Sequence, residues 1–171
     1  MKKLFSMLML LFFGGCMGMP KSVTPVKDFE LTRYLGKWYE IARLDHSFER
    51  GLEKVFAEYS LREDGGVHVK NQGFSTKNNT WSEVEGKAYF VGNTEEGYLK
   101  VSFFGPFYGS YVIFELDKEN YQYAFVSGPN TSFLWLLSRT PSIDDELRFR
   151  FIQKADQLGF QTTEIIFVNQ K

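Results

Sequence analysis

Eight apolar, aromatic-rich runs of seven to ten residues, parted by short turn signals, constrain this chain more than any other feature. They are Trp38–Leu44, Lys54–Leu61, Val67–Phe74, Trp81–Phe90, Tyr98–Phe104, Ser110–Leu116, Tyr121–Ser127 and Ser132–Ser138. Between them lie clusters rich in Gly, Asp, Asn and Pro, at 64–66, 92–97, 105–109, 117–120 and 128–130. Short strands at this spacing specify an all-β fold, a sandwich or a barrel. Eight strands with tight connections fit an antiparallel up-and-down β-barrel, which removes its own edges and has room for one small ligand. The 18 Phe, 9 Tyr and 3 Trp exclude a disordered chain. The near-balance of 20 basic and 21 acidic residues argues against a nucleic-acid partner, which would call for a basic patch. The one cysteine excludes an internal disulfide and a cysteine-rich metal site.

The first sixteen residues form a separate unit. Lys2 and Lys3 precede an apolar run, Leu4 to Phe13, and Gly14, Gly15 and Cys16 follow. The charge, the run and the small residues make a secretory signal at 1–15. The run is too short to span a bilayer, which takes about 20 residues; an uncleaved anchor or a buried helix is the alternative. The cysteine's placement resembles a bacterial lipobox, with Phe13 where Leu is usual. That resemblance implies cleavage before Cys16, acylation of that cysteine, and stable anchoring by two or more acyl chains. Met17 in place of Asp favours the outer membrane by the lipoprotein sorting rule. Residues 16–28, with two prolines and little periodicity, read as a lipidated tether, and 29–171 as the folded domain.

One helix is expected late in the chain. Ile143, Leu147, Phe151, Ala155 and Leu158 recur at helical spacing. Ser142 is the expected N-cap, with Asp145 three residues on, and Gly159 the expected stop. The stripe must bury itself, and the outside of the barrel is the available partner. Glu164–Val168 reads as a short final strand.

Gly36, Lys37 and Trp38 form the G-x-W motif that opens the first strand of the lipocalins. Asp117 and Tyr121 match the middle motif, with Asn120 as an extra residue, and Arg139 matches the late arginine. The stretches 34–55, 85–90, 99–109 and 134–141 extend the match, so that residues 22–170 resemble the bacterial outer-membrane lipoprotein lipocalins. The resemblance implies an eight-stranded calyx with one C-terminal α-helix outside, and a protein that stores or carries amphipathic lipid, a fatty acid or a lysophospholipid. It also implies a lipid-anchored, periplasm-facing protein of the outer membrane, with a role in envelope lipid maintenance and no cofactor.

Strand alternation then gives expectations for individual side chains. Trp38 and Arg139 meet at a closed end, indole under guanidinium, as structural residues. The inner face takes Glu40 and Ala42 from the first run, then Val55, Ala57 and Tyr59. The third run gives Val67, Val69 and Asn71, the fourth Gly86, Ala88 and Phe90. Leu99, Val101 and Phe103 follow, then Tyr111 and Ile113, and finally Phe133, Trp135 and Leu137. Small residues in this set leave volume, and a mostly apolar cavity with a few polar groups suits a lipid; a barrel packed solid is the alternative. Glu40, Asn71 and Tyr111 are the polar candidates, and Glu40 either meets a head group or pairs with Arg139 or another group at the closed end. Phe48, Phe107 and Tyr108 are expected on the open rim, where they suit lipid entry or a homodimer contact.

Catalysis finds no constellation here. Asp45, His46 and Ser47 are adjacent in sequence, which is not the geometry of a triad. His46 falls in a rim loop and His68 on an outward strand position, so neither has a metal partner. The chain reads as a binding protein and not an enzyme. A barrel acting through its outer surface is the alternative function.

Overall fold

Alternating apolar residues give strands that hydrogen-bond into one continuous wall in the computed structural model, which describes residues 17–171. The expected signal peptide at 1–15 and Cys16 lie outside the described residues. The strands are β1 (Gly36–Leu44), β2 (Leu52–Leu61), β3 (Val67–Ser75), β4 (Thr80–Phe90), β5 (Tyr98–Phe104), β6 (Phe107–Leu116), β7 (Tyr123–Ser127) and β8 (Leu134–Ser138). Each pairs antiparallel with the next, and β1 pairs with both β2 and β8. The sheet therefore closes into a barrel, and the sandwich alternative is set aside. A one-turn helix, α1 (Leu31–Tyr34), precedes β1.

The C-terminal part braces the outside. Helix α2 (Asp145–Gln157) buries Phe151 and Ala155 against a cluster that includes Ile41, Ala42, Phe125, Leu134 and Leu136. Phe151 meets Phe125 edge-on with ring centres 5.0 Å apart. Burying such a ring is worth about 1.5–3 kcal/mol. The N-cap is Asp144, not the expected Ser142: its carboxylate accepts the Leu147 N–H at 2.8 Å. Gly159 stops the helix as expected, with φ +83°. Strand β9 (Ile165–Phe167) then pairs with Ala42–Leu44. The tail beyond it bridges β1 and β2: Lys54 donates to the Asn169 carbonyl, and the Gln170 amide donates to the carbonyls of Glu40 and Val55.

Residues 17–28 are more ordered than the tether expected of them. Val23 is buried in the outer cluster. The Val26 N–H donates to the Ile113 carbonyl, and Gly97 donates to the Val26 carbonyl. This stretch runs down the wall, and Phe29 then turns under the barrel, its N–H on the Glu95 carbonyl.

Candidate functional site

One end of the barrel is sealed by aromatic packing. Trp38 is wholly buried, donates its indole N–H to the Tyr34 carbonyl at 2.7 Å and carries the Arg139 guanidinium 3.9 Å above its ring. Arg139 also donates to the carbonyls of Arg33, Lys37 and Tyr121. Gly36 holds a left-handed φ of +93°, and a Cβ there would sit 3.5 Å from the Arg139 guanidinium. The middle motif completes the seal. Asp117 accepts the N–H groups of Asn120 and Gln122, so the turn accommodates the extra residue with Tyr121 at φ +54°. The Tyr121 hydroxyl accepts the Glu30 N–H.

Above this floor the interior is hollow. A cavity of about 550 Å³ reaches the opposite end, within the range of small-molecule sites. The filled interior considered from sequence is not what forms, because Phe29 packs on Tyr34 and Tyr34 on Trp38 at the floor while Val and Ala residues line the shaft. From β1, Glu40 faces the cavity; from β2, Val55, Ala57 and Tyr59. Val69, Asn71 and Ala88 come from β3 and β4. Val101, Phe103 and Tyr111 come from β5 and β6, and Phe133 and Trp135 from the last run. Val67, Leu99 and Leu137 join them.

Four expected wall residues do not line the cavity. Ala42 faces outward in the cluster under α2. A β-bulge between Glu40 and Ala42 shifts the register against β8, and an extra residue reverses every side chain beyond it. Phe90 and Ile113 point inward but belong to the packed floor and do not line the cavity. Gly86 leaves no free volume either: a Cβ there would lie 2.6 Å from Phe103 and from the Ser102 carbonyl.

The same bulge turns Arg43 inward, opposite Trp135, and builds a buried polar cluster that strand parity did not anticipate. Arg43 donates to Glu40 at 2.7 Å and to the Glu49 carbonyl at 3.0 Å. Glu40 thus pairs with Arg43 on its own strand, not with Arg139. Trp135 donates its indole N–H to the Glu49 carboxylate at 3.2 Å. His46 Nε2 lies 2.8 Å from that carboxylate, an ion-pair distance without hydrogen-bond alignment. Burial pushes the Glu40 carboxyl well above its ordinary range and the Glu49 charge adds to this, against the pull of Arg43. Burial also raises Glu49, but the contacts with His46, Trp135 and Arg43 outweigh it and hold it low. The two carboxyls are thus pushed in opposite directions, Glu40 toward its neutral form and Glu49 toward its charged one. A charged loop residue over a barrel mouth is no rarity in sequence, and the bulge that turns Arg43 inward leaves no local residue signal, so nothing in the sequence flagged these groups.

Deeper in the cavity three tyrosines share hydrogens. The Tyr111 hydroxyl lies 2.8 Å from that of Tyr34 and 3.0 Å from that of Tyr59. Burial raises all three, Tyr59 to about 12. Asn71 keeps a buried Oδ1 with no partner among the described residues.

At the mouth His46 is buried against Phe48, Phe133 and Trp135, with ring centres 3.9–5.9 Å away. Phe48 and Phe107 are exposed on the rim as expected. Tyr108 instead packs near Tyr89, under Lys100, and Phe104, read from sequence only as the end of a strand, is exposed in its place. No group of three metal-ligating side chains occurs among the described residues, and none of their helices is long and apolar enough to cross a membrane.

Comparison with known proteins agrees with this geometry. The lipocalin-like domain family matches residues 29–170. The chain is a lipocalin. It is 60% identical to the outer membrane lipoprotein Blc of Vibrio cholerae over 171 residues, the full length of both chains. The Escherichia coli K12 protein of the same name is 53% identical over 88% of this chain and 85% of its own. Temperature-induced lipocalin-1 of Arabidopsis thaliana is 33% identical over 85% of this chain and 81% of its own. Insecticyanin from the tobacco hornworm Manduca sexta has the same fold, with TM-score 0.69 at 22% identity over 86% of this chain and 84% of its own. This lipocalin thus belongs with the lipid-anchored lipoproteins of the outer membrane, in a family of proteins that bind small hydrophobic ligands.

Proposed function

We propose that this lipocalin binds an amphipathic lipid, a fatty acid or a lysophospholipid, in the barrel cavity. It stores or carries that lipid at the periplasmic face of the outer membrane, in the upkeep of envelope lipids. The observation that carries the reading is the hollow shaft of about 550 Å³, closed below by Trp38 and Arg139 and open at the rim. Apolar walls take an acyl chain, and each buried CH₂ contributes about 0.8 kcal/mol. The polar groups sit along the wall, where Asn71 Oδ1 is ready to accept a hydroxyl. A lysophospholipid glycerol supplies one and an ionised fatty acid does not.

Binding without turnover fits the site. The buried carboxylates are tied to Arg43, His46 and Trp135, an arrangement that fixes them in place. Titration of the chain beginning at Met17 with lysophospholipid, and separately with fatty acid, tests the reading by tryptophan fluorescence and calorimetry. Saturable uptake near one lipid per barrel is expected, with quenching of Trp135. A folded protein that takes up neither lipid overturns the reading and leaves the outer surface as the working part.

A further inference from the structure

The open end of the barrel carries an apolar rim. Phe48, Phe104 and Phe107 are 64%, 75% and 61% exposed, and all three border the cavity opening. Phe104 and Phe107 pair across the tip of the β5–β6 hairpin. Trp81, more than half exposed, stands at the start of β4 beside the next loop. Single exposed apolar residues need no explanation, but a crown of them around one opening marks a contact surface.

The path of the chain decides what covers it. The Gly18 N–H donates to Ser110 Oγ at 2.9 Å. Ser110 stands three residues along β6 from Phe107, about 10 Å below the hairpin tip at roughly 3.3 Å per residue. From there the chain descends, with Val23 buried in the wall and Phe29 bonded to the Glu95 carbonyl at the closed end. Cys16 precedes Gly18 by two residues, a length of chain that spans at most about 7 Å. The Asp117 turn at the closed end is seven residues from Ser110 in the opposite direction, about 20 Å away. Covalent reach therefore brings acyl chains on Cys16 to the level of the rim, which is nearer to them than the closed end.

We propose that the Phe48, Phe104 and Phe107 rim seats on the lipid surface into which Cys16 is anchored, so that the barrel stands mouth-down on the bilayer. The proposal rests on acylation of Cys16 and not on what the cavity holds. Aromatic rings favour the membrane interface, and a second membrane contact beside the acyl anchor fixes the orientation of the barrel. Lipid then passes between bilayer and cavity without crossing water.

The test uses the full lipidated chain in vesicles of phosphatidylethanolamine and phosphatidylglycerol containing a nitroxide-labelled lipid. Cys16 is the one cysteine of the sequence, and its acylated sulfur is blocked, so an introduced thiol takes an environment-sensitive fluorophore alone. Lys77→Cys places it in the β3–β4 loop at the mouth, and Glu63→Cys in the β2–β3 turn at the closed end. The mouth label loses most of its emission to the nitroxide, and the other label keeps its own. Adding Phe48→Ser, Phe104→Ser and Phe107→Ser together restores the mouth emission while the chain still sediments with the vesicles. Equal quenching at both ends, or quenching that survives the triple change, overturns the proposal. A mouth label shielded from aqueous iodide yet untouched by the nitroxide lipid means that a second copy covers the rim, which also overturns it. A chain that fails to sediment has no anchor, and the proposal falls while the lipid-uptake titration stands apart.

Discussion

Arg139 closes the floor because one planar side chain faces several needs at once. It stacks on Trp38 and donates to carbonyls from α1, β1 and the Asp117 turn. Lysine keeps the charge but has neither the fork nor the flat face. Arg139→Lys is expected to cost about 2 kcal/mol in denaturant unfolding, with lipid uptake retained by the folded fraction. The tyrosine cluster gives a second expectation. Burial raises Tyr59 to about 12 and lifts Tyr34 and Tyr111 well above 10. Between pH 10 and 12 the native state keeps a proton on Tyr59 that the unfolded chain has lost. Stability is therefore full below pH 10 and falls as pH rises, by about 3 kcal/mol across that window for Tyr59 alone. Ultraviolet titration is expected to show tyrosines that ionise only on unfolding; free titration of all nine near pH 10 would contradict the cluster. Trp38 meeting Arg139 was legible in sequence, since both sit where strands enter and leave one end. Ala42 was not, because a single bulge reverses parity without any local residue signal.

The strands were legible as elements because polar–apolar alternation and turn residues recur through the whole chain. Their register was less so, with shifts at Glu40/Ala42, Glu53/Phe56, Val101/Phe104 and Ile113/Glu115. The helix was legible by its stripe, but its cap was displaced by two residues. Ser142 and Asp144 are both good caps, and only the Leu147 N–H chooses between them. The segment 17–28 looked slack because its backbone partners are Gly97, just before β5, and Ile113 on β6, which leave no periodic trace. Glycine shows how element packing decides a local choice. Gly86 was read as a source of cavity volume, yet it lets β4 pack against β5. Its Cβ would meet the Ser102 carbonyl at 2.6 Å, and backbone cannot move aside as a side-chain tip can. Gly86→Ala is expected to destabilise by about 1–3 kcal/mol, seen as a lower thermal midpoint with an unchanged barrel signature in circular dichroism.

At the scale of the whole molecule, the barrel divides its aromatic residues between three places. One set packs the floor, one sits under α2, and one crowns the mouth. Composition shows only that there are many, so sequence left a hollow and a filled barrel both open. What makes the difference is that Phe29 and Tyr34 enter from the segment before β1, Phe29 packing on Tyr34 and Tyr34 on Trp38, leaving Val67, Val69 and Ala88 to line the space above. A shaft of fixed depth has a consequence for lipids of graded length. Each added CH₂ that stays inside gains about 0.8 kcal/mol, close to fourfold in affinity. Affinity is expected to climb at that rate through a series of single-chain lipids and then level off when the chain outgrows the cavity. Ala88→Trp inserts a large ring between Val67 and Val101 and is expected to bring the levelling to shorter chains, while the slope below it stays the same. Calorimetry across the series, on the parent and the variant, reads both quantities. A slope near zero throughout would place the acyl chain outside the barrel, and an unchanged break in a folded Ala88→Trp protein would place it along a different wall.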